Sequence, residues 1–152
     1  MAVEPSTPPA QPPAPGPAEA PPLSPSDERM WAMLAHLSIL LNLMSGFLGI
    51  IAALVIYLIY KDRSRYVAYQ SMQSFVFQLI TWGGGGVLIA VSWVMSTLLA
   101  ALLIGFLCMP FACLLTFLPL GAVVYGIVGG LQCNQGQDFR YWLVGDWVRG
   151  TV

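Results

Sequence analysis

Two long stretches of the chain carry no charged residue, Met30–Tyr60 and Tyr66–Gln137, and between them stands the cluster Lys61-Asp62-Arg63-Ser64-Arg65. A charge at the centre of a bilayer costs roughly 2.5–3.5 kcal/mol on insertion scales. The cluster therefore belongs in water or among headgroups, with apolar helices on both sides of it. The block Ala32–Tyr60 would be roughly 43 Å long as one helix, against a hydrocarbon core of about 30 Å. That is too long for one comfortable span and short for two full ones. Near its middle lies Asn42-Leu43-Met44-Ser45-Gly46, where an amide, a hydroxyl and a glycine interrupt the apolar run. Two short helices, about 28–43 and 47–60, are expected on either side of this break. A single tilted span is the alternative. The split reading puts the N-terminal tail and the 61–65 cluster on one side, and the single span puts them on opposite sides. The excess of Lys and Arg places the cluster in the cytoplasm under both.

After the cluster the pattern becomes helical. Met72, Phe75, Val76 and Leu79 share one face, and Gln70, Ser71, Ser74 and Gln78 share the other. This predicts an amphipathic helix, lying in the interface or forming the inner end of a span. Gly83-Gly84-Gly85-Gly86 follows, expected to be a thin, bendable segment that lets a neighbour approach. The helix should resume and run to about residue 104. Gly105–Pro110 is the expected far-side turn, with Pro110 opening a last helix over about 110–131. Pro119 should kink that helix, and Thr116 is placed to satisfy the carbonyl it frees. Ser92, Ser96 and Ala100 make one smooth face, and Ala122, Gly126 and Gly130 make another. In a membrane such faces let helices approach closely, so the two are expected to pack together.

The ends differ from the middle. Ten of the 12 prolines fall within residues 1–25, a composition that buries little apolar surface and predicts a disordered tail. Its PxxP spacings, such as Pro9 to Pro12, are read as those of a solvated tether, and it lacks the basic and apolar regions of a signal peptide. Order should begin at Ser24, an N-cap followed by Pro25 and by Asp27 in a capping-box position. Residues 132–152 read as an interfacial tail of polar and aromatic residues, returning the chain to the charged side. Composition sharpens the picture: 57% of residues are hydrophobic and 9% charged, where soluble domains average about 25% charged. The fold class expected is an all-α integral membrane protein, a four-helix bundle with two short N-terminal helices and two longer spans. Its membrane domain would cover residues 26–131.

Three stretches together carry a resemblance. They are Trp31-Ala32-Met33-Leu34-Ala35-His36-Leu37-Ser38, then Tyr66 to Gln78, then Gly136-Gln137-Asp138-Phe139-Arg140-Tyr141. In order and at this spacing, over about residues 28–149, the chain resembles small bacterial membrane proteins of unknown function. These are grouped with the Tic-type four-helix import component of the chloroplast inner envelope and with the magnetosome proteins MamF and MmsF. The chain departs from the pattern at Gln70, Ser74, Val76 and Trp142, where such proteins often have His, Ala, Asn and Pro. The resemblance implies four membrane helices, favouring the split of 32–60. It implies no biochemical activity, and import or magnetite growth belongs to special branches.

Candidate functional residues are few. His36, the single histidine, could relay a proton, but one interhelical hydrogen bond is the simpler role. Asn42 reads as a polar contact across helices. Gln70, Gln73 and Gln78 either line a wet groove or mark the headgroup-facing side of their helix, and the second is the simpler reading. Lys61, Arg63 and Arg65 could hold anionic headgroups or simply fix topology. Cys108, Cys113 and Cys133 lack metal-ligand spacing and read as packing residues. With no nucleophile–base set, phosphate loop or intramembrane carboxylate, neither an enzyme nor a cofactor is expected. A net charge of −1 without a basic patch argues against nucleic acid. The partners expected are the lipid bilayer and other membrane proteins or further copies of the chain. The location expected is the bacterial inner membrane, multi-pass, with both termini cytoplasmic. A membrane scaffold or interaction protein is favoured, and a component of a translocation or small-solute channel is the alternative. The channel would need Gln70, Ser74, Gln78, His36 and Asn42 to converge on one cavity.

Overall fold

The computed structural model describes residues 21–152, so the proline-rich tail expected over 1–25 lies almost wholly outside the described residues. Helix α1 spans Pro25–Leu37, and its start follows the sequence reading. The Ser24 hydroxyl accepts from the Asp27 amide at 3.2 Å and donates to the Asp27 carboxylate at 2.6 Å, with Pro25 in the first turn. A slight break at Ser38 separates α1 from α2, Ile39–Ser45. Gly46 then adopts φ 81°, the left-handed conformation that ends helices and suits glycine, and its N–H closes on Asn42 O at 2.7 Å. The chain reverses into α3, Leu48–Tyr60. The apolar block is thus a short helical hairpin, and Trp31 meets Tyr60 with ring centroids 4.8 Å apart.

Gly49 explains how tightly the hairpin closes. A Cβ there would lie 2.2 Å from Ser38 O and 2.8 Å from the side-chain oxygens of Asn42 and Gln78, so only glycine fits. Ser38 Oγ donates to Gly49 O at 3.0 Å across the same contact.

Ser64 caps α4, Arg65–Gln78, by accepting from the Val67 amide, and it also donates to Glu28. A π-helical stretch, Leu79–Gly84, leads into α5, Gly85–Ala100. Together these form one continuous helix of 36 residues, Arg65–Ala100. The chain turns at residues 101–104 into α6, Gly105–Thr116, and α7, Leu118–Asn134. The Gly105–Asn134 arm and the Arg65–Ala100 arm are each long and apolar enough to cross a membrane. At 1.5 Å per residue the 36-residue arm is about 54 Å long, well beyond a hydrocarbon core of about 30 Å. A short helix α8, Gly145–Arg149, ends the fold. The described residues include no strand.

Several expectations are corrected. The far turn is at 101–104, with Leu103 at φ 62°, rather than at 105–110. Gly105 fixes it there: a Cβ at that position would stand 2.2 Å from Ser96 O and from the Ala100 amide, so the two arms cross at this glycine. Pro110 accordingly lies inside α6 rather than at the start of a helix. The break before Pro119 does occur, at Phe117, but Thr116 donates to Ala112 O, one turn back, and accepts from Trp93 Nε1 at 3.1 Å. The glycine run 83–86 admits no close neighbour; only Leu118, 3.7 Å from a Cβ built at Gly85, approaches from another element.

The two small-residue faces do not meet. Ser92 and Ser96 face α6, where they share a shallow groove with Cys108, Phe111 and Ala112, and Ala100 packs at the turn beneath Gly105. Gly126 and Gly130 face α1 and the start of α2 instead. A Cβ at Gly126 would lie 2.9 Å from Ile39, and one at Gly130 would lie 3.1 Å from Leu37. Ala122 turns towards Phe77 and Ile80. The pairing fails because α1 occupies the flank of α7 and because α5 packs mainly on α6.

Residues 132–152 are also more than an interfacial tail. Helix α7 continues to Asn134, Gly136 turns the chain at φ 78°, and Phe139, Tyr141, Val144 and Val148 are buried in the main core. Tyr141 stacks on Phe77 at 4.0 Å, with Tyr125 and Phe139 set edge-on around it. Arg63 donates to Pro21 O, and Tyr66 Oη donates to Gln137 O at 2.9 Å. Residues 21–28, the 61–64 loop and the C-terminal segment thus gather at one end of the molecule. A single span over Ala32–Tyr60 would have separated the first two.

Candidate functional site

The polar face of α4 points inward. Gln70, Ser71, Gln73, Ser74 and Gln78 are all fully buried, while Leu79 and Ile80 just beyond them are exposed. This reverses the reading of the glutamines as a headgroup-facing side. Helix α4 has its polar stripe against protein, and of the apolar positions opposite it Met72, Phe75 and Val76 are half-buried and Leu79 is exposed. The partners come from α1, α2 and the C-terminal segment, and α4, α1 and the C-terminal segment hold the three stretches that carry the sequence resemblance.

His36 sits at the centre. Its Nε2 is 3.0 Å from Gln70 Oε1 and its Nδ1 is 3.0 Å from Tyr141 Oη. The Gln70 amide is oriented by its other end, since Nε2 donates to Asp138 Oδ1 at 3.0 Å and to Phe139 O at 3.1 Å, both of them acceptors. Gln70 Oε1 must therefore accept, which assigns the proton of His36 to Nε2 and leaves Nδ1 to accept from the Tyr141 hydroxyl. Burial pushes the Tyr141 phenol well above its ordinary pKa, so it stays a donor. Gln73 completes this half: its Nε2 donates to Phe139 O at 2.8 Å and to Gln70 Oε1, and its Oε1 accepts from the Tyr141 amide at 3.3 Å.

The second half lies about two turns along α4. Gln78 Nε2 donates to Ser38 Oγ and to Ser74 Oγ, both at 3.0 Å. Gln78 Oε1 accepts from Asn42 Nδ2 at 2.9 Å, and Asn42 Oδ1 accepts from the Gly49 amide at 2.7 Å. Ser74 Oγ donates to Ala35 O at 2.7 Å. The network thus ties the short hairpin, α4 and the C-terminal segment together.

His36, Asn42, Gln70, Gln73, Ser74 and Gln78 are each at most 1 % exposed, so no water-sized space adjoins them. They converge as a channel would require, but on one another and not on a cavity. Among the described residues the one buried side-chain N or O atom without a partner is Trp82 Nε1, outside this network. Satisfaction matters because a buried polar group left unpaired costs about 1–3 kcal/mol.

A scan against family models returns a match over residues 27–148 to the MamF/MmsF model, described as the magnetosome magnetite crystal formation protein family. The chain belongs to that family. The matched span contains the whole buried network, from His36 to Tyr141. No curated protein is significantly similar to the chain, and no solved structure is either.

The cationic candidates separate. Arg63 lies over the Tyr60 ring at 5.7 Å, while Arg65 lines a groove with Arg149. Lys61 is exposed. Of the three cysteines, Cys133 is buried in the core, Cys108 is half-buried and Cys113 is exposed. Among the described residues no group of three or more His, Cys, Asp and Glu side chains comes together as a metal site would require. Tyr141, Phe139, Asp138 and Ser38 were not anticipated as members of the network. Their signal was present, since all four lie in the stretches carrying the resemblance.

Proposed function

We propose that the chain is a multi-pass membrane scaffold, a closed helical bundle that acts by holding partner helices or lipids and has no catalytic activity of its own. The observation that carries this reading is the inward polar face of α4, whose side chains hydrogen-bond to His36, Ser38 and Asn42 of the N-terminal hairpin. Backbone and side-chain polar groups in hydrocarbon must be satisfied internally, and a network closed in this way lets α4 lie at membrane depth. The apolar exterior supports the same reading: Leu98, Leu102, Leu103, Leu107, Phe111 and Leu114 are all exposed. His36 is engaged at both ring nitrogens, which favours a structural role over acid–base work.

Family membership supports a setting in the membrane of a mineral-forming compartment, and a scaffold there would influence crystal formation through the proteins and lipids it gathers. Both termini and residues 61–65 are taken to face the cytoplasm. The clustering of residues 21–28, the 61–64 loop and the C-terminal segment at one end, together with the basic residues there, supports that orientation. Cross-linking in native membranes should capture a defined set of membrane proteins. Liposomes containing the purified chain alone should not conduct ions or peptides, and conduction would overturn the scaffold in favour of a channel.

A further inference from the structure

At the end of the molecule where residues 21–28, the 61–64 loop and the C-terminal segment gather lies a groove of about 360 Å³ lined by Arg65, Tyr66, Tyr69, Asp138, Arg149 and Val152. Its walls are fixed. Tyr66 Oη donates to Gln137 O, and Tyr69 Oη donates to Gly145 O at 3.3 Å. Arg149 lies over the Tyr69 ring at 4.6 Å and donates to Asp138 Oδ2. The other oxygen of Asp138 is taken by Gln70 Nε2. Arg65 stands in the first turn of α4, where the helix dipole is positive, and makes no ion pair among the described residues. The groove therefore presents two guanidinium groups against one carboxylate that is already engaged on both oxygens.

Guanidinium groups are planar forks with five donors, and Arg149 commits one of them to Asp138. Two such forks lining one groove suit a group offering several anionic oxygens. We propose that this groove binds a phosphate group between Arg65 and Arg149, and that the phosphate is the headgroup of an anionic phospholipid. The aromatic residues at this end, Tyr60, Tyr66, Tyr69 and the exposed Trp147, are those that favour headgroup depth. The lipid source rests on the membrane reading; the groove itself does not. Because Asp138 is shared with Gln70, an occupant holding Arg149 in place also steadies the surface end of the buried network.

The test uses the full chain purified in detergent, with native mass spectrometry and thermal melting. Phosphatidylglycerol should form a 1:1 adduct and raise the melting temperature, and phosphatidylcholine should do neither. Arg65→Gln should leave the lipid-free melting temperature unchanged and weaken the adduct at least about tenfold. Arg65→Lys should restore part of it. Displacement of the lipid by glycerol phosphate would support recognition of the phosphate itself, and a failure to displace it would support a lipid site in which the acyl chains add affinity. Equal retention of phosphatidylglycerol by the wild type and Arg65→Gln, or equal binding of phosphatidylcholine, would overturn the proposal without touching the scaffold reading.

Discussion

The helices at the gathered end and the hairpin of α5 and α6 are built on opposite plans. In the first region α1 to α4, α7 and the C-terminal segment enclose amides, hydroxyls and an imidazole, and they bury Gly126, Gly129 and Gly130 against α1 and Phe139. In the second, α5 and α6 pack mainly on each other, and Ser96, Gly105 and Ala112 are their buried residues. One interhelical side-chain hydrogen bond, Trp93 to Thr116, links the hairpin's two arms. On the membrane reading proposed above, these are two ways to hold helices in an apolar solvent. Directional polar contacts specify one arrangement of many elements. Small residues merely let two helices come close, and leave the rest of their surface open to lipid or partners.

The contrast can be broken at its strongest point with Gln70→Leu. That substitution leaves His36 Nε2 without a partner and takes one hydrogen bond each from Gln73 Nε2, Asp138 and Phe139 O. Interhelical hydrogen bonds in membranes average about 0.6 kcal/mol each, and unpaired groups cost more, so a loss of roughly 2–4 kcal/mol is expected in reversible unfolding. A loss no greater than that of a surface substitution would mean the network is dispensable.

Gly126→Leu comes next. It drives a side chain into Ile39 and His36 O, and overpacking of this kind costs about 1–3 kcal/mol. A double-mutant cycle sharpens the point. Gly126→Ala should couple with Ile39→Ala, which it touches, and add independently to Ser96→Ala, which it does not. Coupling to Ser96 would restore the packing of the two small-residue faces.

Tyr141→Phe should cost about 1 kcal/mol. It keeps the stack on Phe77 but strips His36 Nδ1 of its donor. The histidine Nδ1 resonance should shift in ¹⁵N NMR while the fold persists, and an unmoved resonance would contradict the tautomer assignment. The smallest effect is expected in the hairpin. Val91→Ala, at an exposed position, should change stability by less than about 0.5 kcal/mol in detergent.

The sequence pattern showed much of this and misled in a consistent way. The N-cap at Ser24, the break at Asn42–Gly46 and the disruption before Pro119 are local events set by hydrogen-bonding and backbone rules, and they were legible. The polar stripe of α4 was legible as a stripe but not in its direction. Periodicity says that two faces differ and not which one meets protein, and in an apolar solvent the inward face is the polar one. The partners of Gly126 and Gly130 were illegible for a related reason, since a small residue marks close approach without naming the neighbour. The C-terminal segment looked like a surface tail because its aromatic residues are mixed with charges. The charges stay outside while Phe139 and Tyr141 turn in.

The central claim is that the polar side chains of α4 face a dry, closed interior. Reactivity of a cysteine at position 74 tests it most directly. Ser74→Cys is close to isosteric, and with Cys108, Cys113 and Cys133 replaced by alanine it would be the lone thiol in the chain. In the folded protein in liposomes it should resist a small charged methanethiosulfonate reagent, while a cysteine placed at the exposed Asp138 reacts readily. Rapid modification at position 74 in the folded state would mean that water reaches the network, and the closed core would be wrong.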